Sequence, residues 1–193
     1  IVVDDCSTDN TPEVLSNYAE KNLSMRVVRL GKNSSSHAAR CTGVENARGS
    51  YVLFLDGDDY LFPDALEKLL NQVVKGSEDF DVCEYSYQCQ PGGKIISPAP
   101  YDSALPRIDY YLRRDAIVTV WNKLYKSSVL KEAFNNMQIS YIRSGDDTYE
   151  TICISYFTKK YIQKDILVIN YQLENGVSFH KNNYESNIKH CQS

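Results

Sequence analysis

No run of apolar residues in this chain approaches the roughly 20 that a membrane-spanning helix needs. Basic residues never gather either: 21 Lys and Arg against 25 Asp and Glu leave a net charge of −4, without the basic stripe of a nucleic-acid binder. An anionic ligand would therefore need a local basic residue or a metal ion. The six cysteines, Cys6, Cys41, Cys83, Cys89, Cys153 and Cys191, never stand as C-x-x-C and lie far apart. That spacing argues against a redox or zinc motif and for reduced, mostly buried thiols in a cytoplasmic protein. Internal repeats and low-complexity linkers are missing as well, so the 193 residues are expected to form one domain whose halves share a core.

What the chain does have is alternation. It opens with Ile1-Val2-Val3 running into Asp4 and Asp5, a strand that ends in two carboxylates. Thr11 and Pro12 then suit a helix start, and Val14, Leu15, Tyr18 and Ala19 fall on one helical face. Met25–Leu30 reads as a second strand, and Ser34-Ser35-Ser36 as the start of a helix carrying Ala38, Ala39, Val44 and Ala47. Tyr51–Asp56 is an apolar run typical of a strand covered on both faces. Pro63 and Asp64 open a third helix, with Leu66, Leu69, Leu70 and Val73 spaced for burial. This order predicts an α/β fold, a mostly parallel Rossmann-like sheet flanked by helices, with ligands beyond the carboxyl ends of the strands.

The second half is less regular. Pro91-Gly92-Gly93 reads as a hairpin turn between two strands, Val120–Glu132 as a strand and a helix, and Asp146–Tyr161 as a helix presenting Tyr149, Ile152, Cys153, Tyr156 and Phe157. Asp146 and Asp147 at its start suit the positive end of a helix dipole. His37 and His180 are expected at the surface or in a helix turn rather than as metal ligands.

Two acidic groups end strands: Asp4-Asp5, and Asp56-Gly57-Asp58-Asp59. Hard carboxylate oxygens at that spacing suit Mg²⁺ or Mn²⁺, which binds one or two carboxylates together with substrate phosphates. A phosphoacceptor receiver domain shares the acidic pair and the later aspartate, but no Lys-Pro follows a later strand here.

Three segments in order, "VVDDCSTDNTPEVL", "NSSSHAARCTGVENARGSYVLFLDGDDYLFPDALEKL" and "SGDDTYET", resemble family 2 glycosyltransferases of the GT-A fold. The family forms are D-D-G-S-x-D-x-T, N-x-G-x-x-x-A-R-N-x-G with F-L-D-x-D-D, and an E-D pair. The resemblance implies an inverting transfer of sugar from a nucleotide diphosphate, most simply a UDP-sugar, to a glycan, polysaccharide or lipid-linked hydroxyl acceptor. It implies that Asp4, Asp5, Arg40, Asp56 and Gly57 meet the nucleotide, that Asp58 holds Mn²⁺ or Mg²⁺, and that Asp147 is the general base. Asp146, standing where glutamate is usual, and Trp121 are weaker candidates for the acceptor side; Trp121 either stacks on a sugar or fills the core. Lys123 either pairs with nearby acids or lies on a strand surface.

The resemblance further implies a single catalytic domain, with residues 1–98 for the nucleotide sugar and 99–193 for the acceptor. It also implies a central strand ahead of Ile1 and a cytoplasmic location compatible with peripheral membrane association. Cys6 and Ser35 stand where the family has glycine, Cys41 where it has asparagine, and the arginine usual near Gln172 and Leu173 is missing. A glycine chosen for positive φ is not freely exchanged. Two rival classes are a sugar-nucleotide-binding module without transfer and a nucleotidyltransferase, although the glycine-rich basic loop of the latter is absent.

Overall fold

The structure is a computed structural model and describes residues 1–100, 118–139, 141–142 and 144–173. His180, Cys191 and the segment after Leu173 lie outside these residues. The contacts divide the chain into two compact units, between which it crosses more than once.

The first unit is built chiefly from Ile1–Val52 and Lys126–Thr158. Strand β1 (Val2–Asp4) pairs in parallel with β2 (Val27–Arg29), Val2 opposite Val27 and Asp4 opposite Arg29. Helix α1 (Thr11–Lys21) connects them, with Asn10 at the N-cap and Pro12 in the first turn. No residue of α1 is buried; Leu15 and Ala19 are half-buried, but Val14 and Tyr18 are exposed, contrary to the expected stripe. Three-residue strands offer a helix only a narrow floor, which two residues of one face fill.

Helix α2 (Ser36–Asn46) packs on β1 and buries Ala38, Cys41 and Val44. Two later helices pack against it and each other: α4 (Ser127–Asn135), which buries Leu130, Ala133 and Phe134, and α5 (Asp146–Phe157). The face that α5 buries is Glu150, Thr151, Ile154 and Ser155, while Tyr156 is exposed. Of the face predicted from spacing, Tyr149, Ile152, Cys153 and Phe157 are half-buried and Tyr156 is exposed. The Glu150 carboxylate turns inward because α2 supplies Arg40 and His37 as its partners, whereas the Ser155 hydroxyl donates to the Ile152 carbonyl of its own helix.

Strand β3 (Tyr51–Leu53) leads into the second unit. There β5 (Val82–Gln90) and β8 (Tyr161–Gln172) form a long parallel pair, from Val82 opposite Tyr161 to Gln90 opposite Gln172. Antiparallel partners surround it: β6 (Ile95–Ile96) and β7 (Lys123–Lys126) on β5, and β4 (Tyr60–Leu61) on β8. The sheet, in which β3 pairs with β7, is therefore mixed, and the expected parallel pairing is seen in β1–β2 and β5–β8. The hairpin expected at Pro91-Gly92-Gly93 joins β5 to β6, with φ of 109° and 68° at its glycines.

Helix α3 (Ala65–Leu69), continued by a π-helical turn (Leu70–Val74), packs on β8. It buries Ala65, Leu69 and Val73 and exposes Leu66 and Leu70, so only half of its expected apolar set faces inward. Strand β5 is buried along most of its length, with Tyr85, Tyr87, Cys83 and Cys89 in the core. Glu84 is buried beside them and is satisfied by the Tyr161 hydroxyl at 2.5 Å, Gln163 Nε2 at 3.0 Å and Asn122 Nδ2 at 3.2 Å. Lys123 is 1% exposed, donates to Asn122 Oδ1 at 2.6 Å and lies 3.8 Å from Glu84, which settles it as an interior residue. Cys6, Cys41, Cys83, Cys89 and Cys153 are free thiols. Burial pushes the Cys41 thiol up to about 11 and that of Cys83 to about 12.

Candidate functional site

The two aspartates that end β1 point to different tasks. Asp4 is 4% exposed; its Oδ1 accepts the Ser7 N–H at 2.9 Å and its Oδ2 lies 3.3 Å from Arg29 Nε. Hydrogen bonding from Ser7, with the nearby Arg29 charge, holds its carboxyl below the usual range. Asp5 instead reaches the start of α2, where its oxygens accept the N–H groups of Ser34 at 2.7 Å and Ser35 at 2.9 Å. Each carboxylate thus has its own donors, and the turn tolerates the adjacent charges.

That turn carries strain. Cys6 has φ 63° and Ser35 has φ 90° with ψ 161°, conformations that favour glycine. These are two of the positions at which the family has glycine, so the departures noted in the sequence fall on backbone that still requires glycine-like angles.

Beyond Ser35, α2 presents Ser36, His37, Arg40 and Cys41 within one turn, opposite Asp146, Asp147 and Glu150 on α5. The i, i+1, i+4 spacing on both helices makes these faces match. Arg40 Nη1 donates to Asp147 Oδ1 at 2.7 Å, Glu150 Oε2 at 3.0 Å and Asp146 Oδ2 at 3.1 Å. Ser36 Oγ donates to the same Asp146 oxygen. Gly145, at φ 84°, caps α5 and sets up its first turn. Asp146 and Asp147 are partly exposed, whereas Glu150 is fully buried.

His37 was expected at the surface or in a helix turn; it stands in the first turn of α2 and is 0% exposed. Its Nδ1 lies 2.7 Å from Glu150 Oε1 and its Nε2 3.2 Å from the Gln138 carbonyl oxygen, with Phe134 and Tyr149 against the ring. Burial raises the Glu150 carboxyl to about 7, opposed by Arg40 and His37. Sequence reasoning missed both residues. The available signal was their spacing: a histidine three residues before Arg40 and a glutamate three after Asp147.

In the second unit, Asp56-Gly57-Asp58-Asp59 forms a turn closed by the Asp59 N–H to the Asp56 carbonyl at 3.1 Å. Asp56 and Asp58 are half-buried and Gly57 is exposed. Asp59 is 7% exposed; its Oδ1 accepts the Gln172 N–H at 2.8 Å, while its buried Oδ2 has no hydrogen-bond donor. Burial, with the charges of Asp58 and Asp56 adding to it, raises its carboxyl to about 7 against the Gln172 hydrogen bond. Trp121 is 4% exposed, stacked on Tyr171 at 4.6 Å and edge-on to Tyr87 at 4.7 Å, which is a core placement.

Among the described residues no group of three or more His, Cys, Asp or Glu side chains makes a ready metal cage. A divalent ion that takes most of its ligands from water and phosphate needs less, and the acidic turn with its unpartnered carboxylate oxygen fits that kind of site.

Residues 1–134 match the family described as Glycosyl transferase family 2. The chain belongs to that family. Its relatives include TuaG of Bacillus subtilis (strain 168), assigned by name to teichuronic acid biosynthesis. It is 40% identical over 111 residues, covering 54% of this chain and 44% of TuaG. The glycosyltransferase GlyA of Streptococcus pneumoniae is 25% identical over 189 residues, covering 91% of this chain and 26% of GlyA. The family 2 chain thus spans less than half the length of either relative. Among solved structures, S. aureus TarS 1-349 in complex with UDP-GlcNAc superimposes with a TM-score of 0.73 at 22% identity, covering 93% of this chain and 51% of that one. That likeness shows the GT-A type of fold expected from the sequence.

Proposed function

We propose that this family 2 chain transfers a sugar from a nucleotide diphosphate donor to a hydroxyl acceptor, with inversion at the anomeric carbon. The observation that carries the reading is Asp147: a partly exposed carboxylate at the start of α5, held at 2.7 Å by Arg40. A hydroxyl that attacks an anomeric carbon must lose its proton as the bond forms, and one fixed carboxylate suffices for that. Arg40 keeps Asp147 ionised and aimed. The TarS structure binds UDP-GlcNAc, which supports a UDP-sugar as donor.

Asp58, with Asp56 beside it, would hold Mg²⁺ or Mn²⁺, which stabilises the negative charge developing on the departing diphosphate. Asp5 fixes the loop at the start of α2 through Ser34 and Ser35, and is the better placed of the β1 pair to border a nucleotide, since Asp4 is buried. Relatives named for teichuronic acid biosynthesis and for poly(ribitol-phosphate) glucosylation support a polymeric glycan or polyol-phosphate acceptor.

The test separates binding from chemistry. Asp147→Asn is expected to bind UDP as the wild type does while sugar transfer from UDP-sugars falls roughly 10²- to 10⁴-fold, the usual worth of a general base. A transfer rate equal to wild type would remove Asp147 from the mechanism.

A further inference from the structure

Glu150 and His37 fall at positions that the family forms leave unspecified, yet they are among the most enclosed polar groups of the first unit, both 0% exposed. They complete a chain of contacts from the Gln138 carbonyl through His37 and Glu150 to Arg40, and from Arg40 to Asp147. A carbonyl oxygen only accepts, so His37 Nε2 carries a hydrogen in its contact with Gln138. The remaining proton lies between Nδ1 and the Glu150 carboxyl group, in one coupled site.

We propose that Glu150 and His37 are positioning residues, and that the proton held between them sets how strongly Glu150 draws the Arg40 guanidinium and so how much of its charge reaches Asp147. With that proton in place the Glu150–His37 pair is neutral overall and Arg40 serves the two aspartates. Its loss adds a negative charge 3.0 Å from Arg40 Nη1 and leaves Asp147 less neutralised, hence more basic. Burial places the Glu150 carboxyl at about 7, so this change falls near neutral pH.

The groups facing the pair are Arg40 and Cys41 from α2 and Asp146, Asp147, Tyr149 and Cys153 from α5. Helix α4 contributes Phe134, and the segment after it the Gln138 carbonyl. The functional weight of the coupling rests on Asp147 acting as base, but the coupling itself does not.

The test is NMR of the labelled full chain between about pH 5.5 and about pH 8.5, the range in which imidazole titrates. The Asp147 carboxyl carbon is expected to show an inflection at the same pH as the His37 ring nitrogens. Glu150→Gln is expected to abolish that inflection. His37→Gln is expected to move it to lower pH, because the shared proton loses the imidazole nitrogen as one of its two holders. A flat Asp147 signal in the wild type overturns the proposal, whether or not either variant folds, and so does an inflection that survives Glu150→Gln unmoved. The Asp147→Asn transfer assay decides the base role separately, so failure of one reading is distinguishable from failure of the other.

Discussion

Cys6 and Ser35 hold backbone angles that a side chain resists, at φ 63° and φ 90°. Such residues cost on the order of 1–3 kcal/mol each and persist where surrounding contacts over-determine them. For Ser35 those contacts are visible, since its N–H and that of Ser34 are both held by Asp5. Cys6→Gly and Ser35→Gly are each expected to raise stability by about 1 kcal/mol, read as a higher urea midpoint at unchanged slope. A second prediction concerns Glu150, whose carboxyl is raised from an ordinary 4.5 to about 7. The folded chain keeps this proton over a range in which the unfolded chain has lost it, so folding stability falls as pH rises through that range. Glu150→Gln cannot ionise, and its urea midpoint is expected to decline less than the wild type's between acid and neutral pH.

The start of α5 decides where Asp146 and Asp147 stand, and Gly145 sets that start. Its φ of 84° suits glycine, and no atom lies within 4 Å of where a Cβ would sit, so the cost of a side chain there is backbone strain alone. Gly145→Ala is expected to lower stability by about 1 kcal/mol and to weaken transfer more than UDP binding, as the two aspartates shift against Arg40. The helices themselves were legible from spacing, but their faces were less so. In α1 the stripe of Val14 and Tyr18 finds no cover, and in α5 the buried face is Glu150, Thr151, Ile154 and Ser155 rather than the aromatic one. Periodicity identifies a face that could be buried. Only the partner decides which face is, and here Arg40 and His37 make an inward carboxylate favourable.

At the scale of the whole molecule, the acidic ends of strands and the family motifs made the α/β fold readable in advance and supplied the candidate residues. The interleaving of two units was not readable, because it depends on where β7 and α4 return in space, which local pattern does not encode. The β5–β6 hairpin was readable from its turn residues, but the antiparallel strand β4 was not, since a two-residue strand has no period to detect.

The central claim is a nucleotide diphosphate donor bound with a divalent ion at Asp58. Calorimetric titration of UDP into the protein, with and without Mn²⁺, on wild type and Asp58→Ala tests it most directly. UDP binding that requires Mn²⁺ and is lost in Asp58→Ala is the predicted result. Equal binding with and without the ion, or in Asp58→Ala and wild type alike, would contradict it.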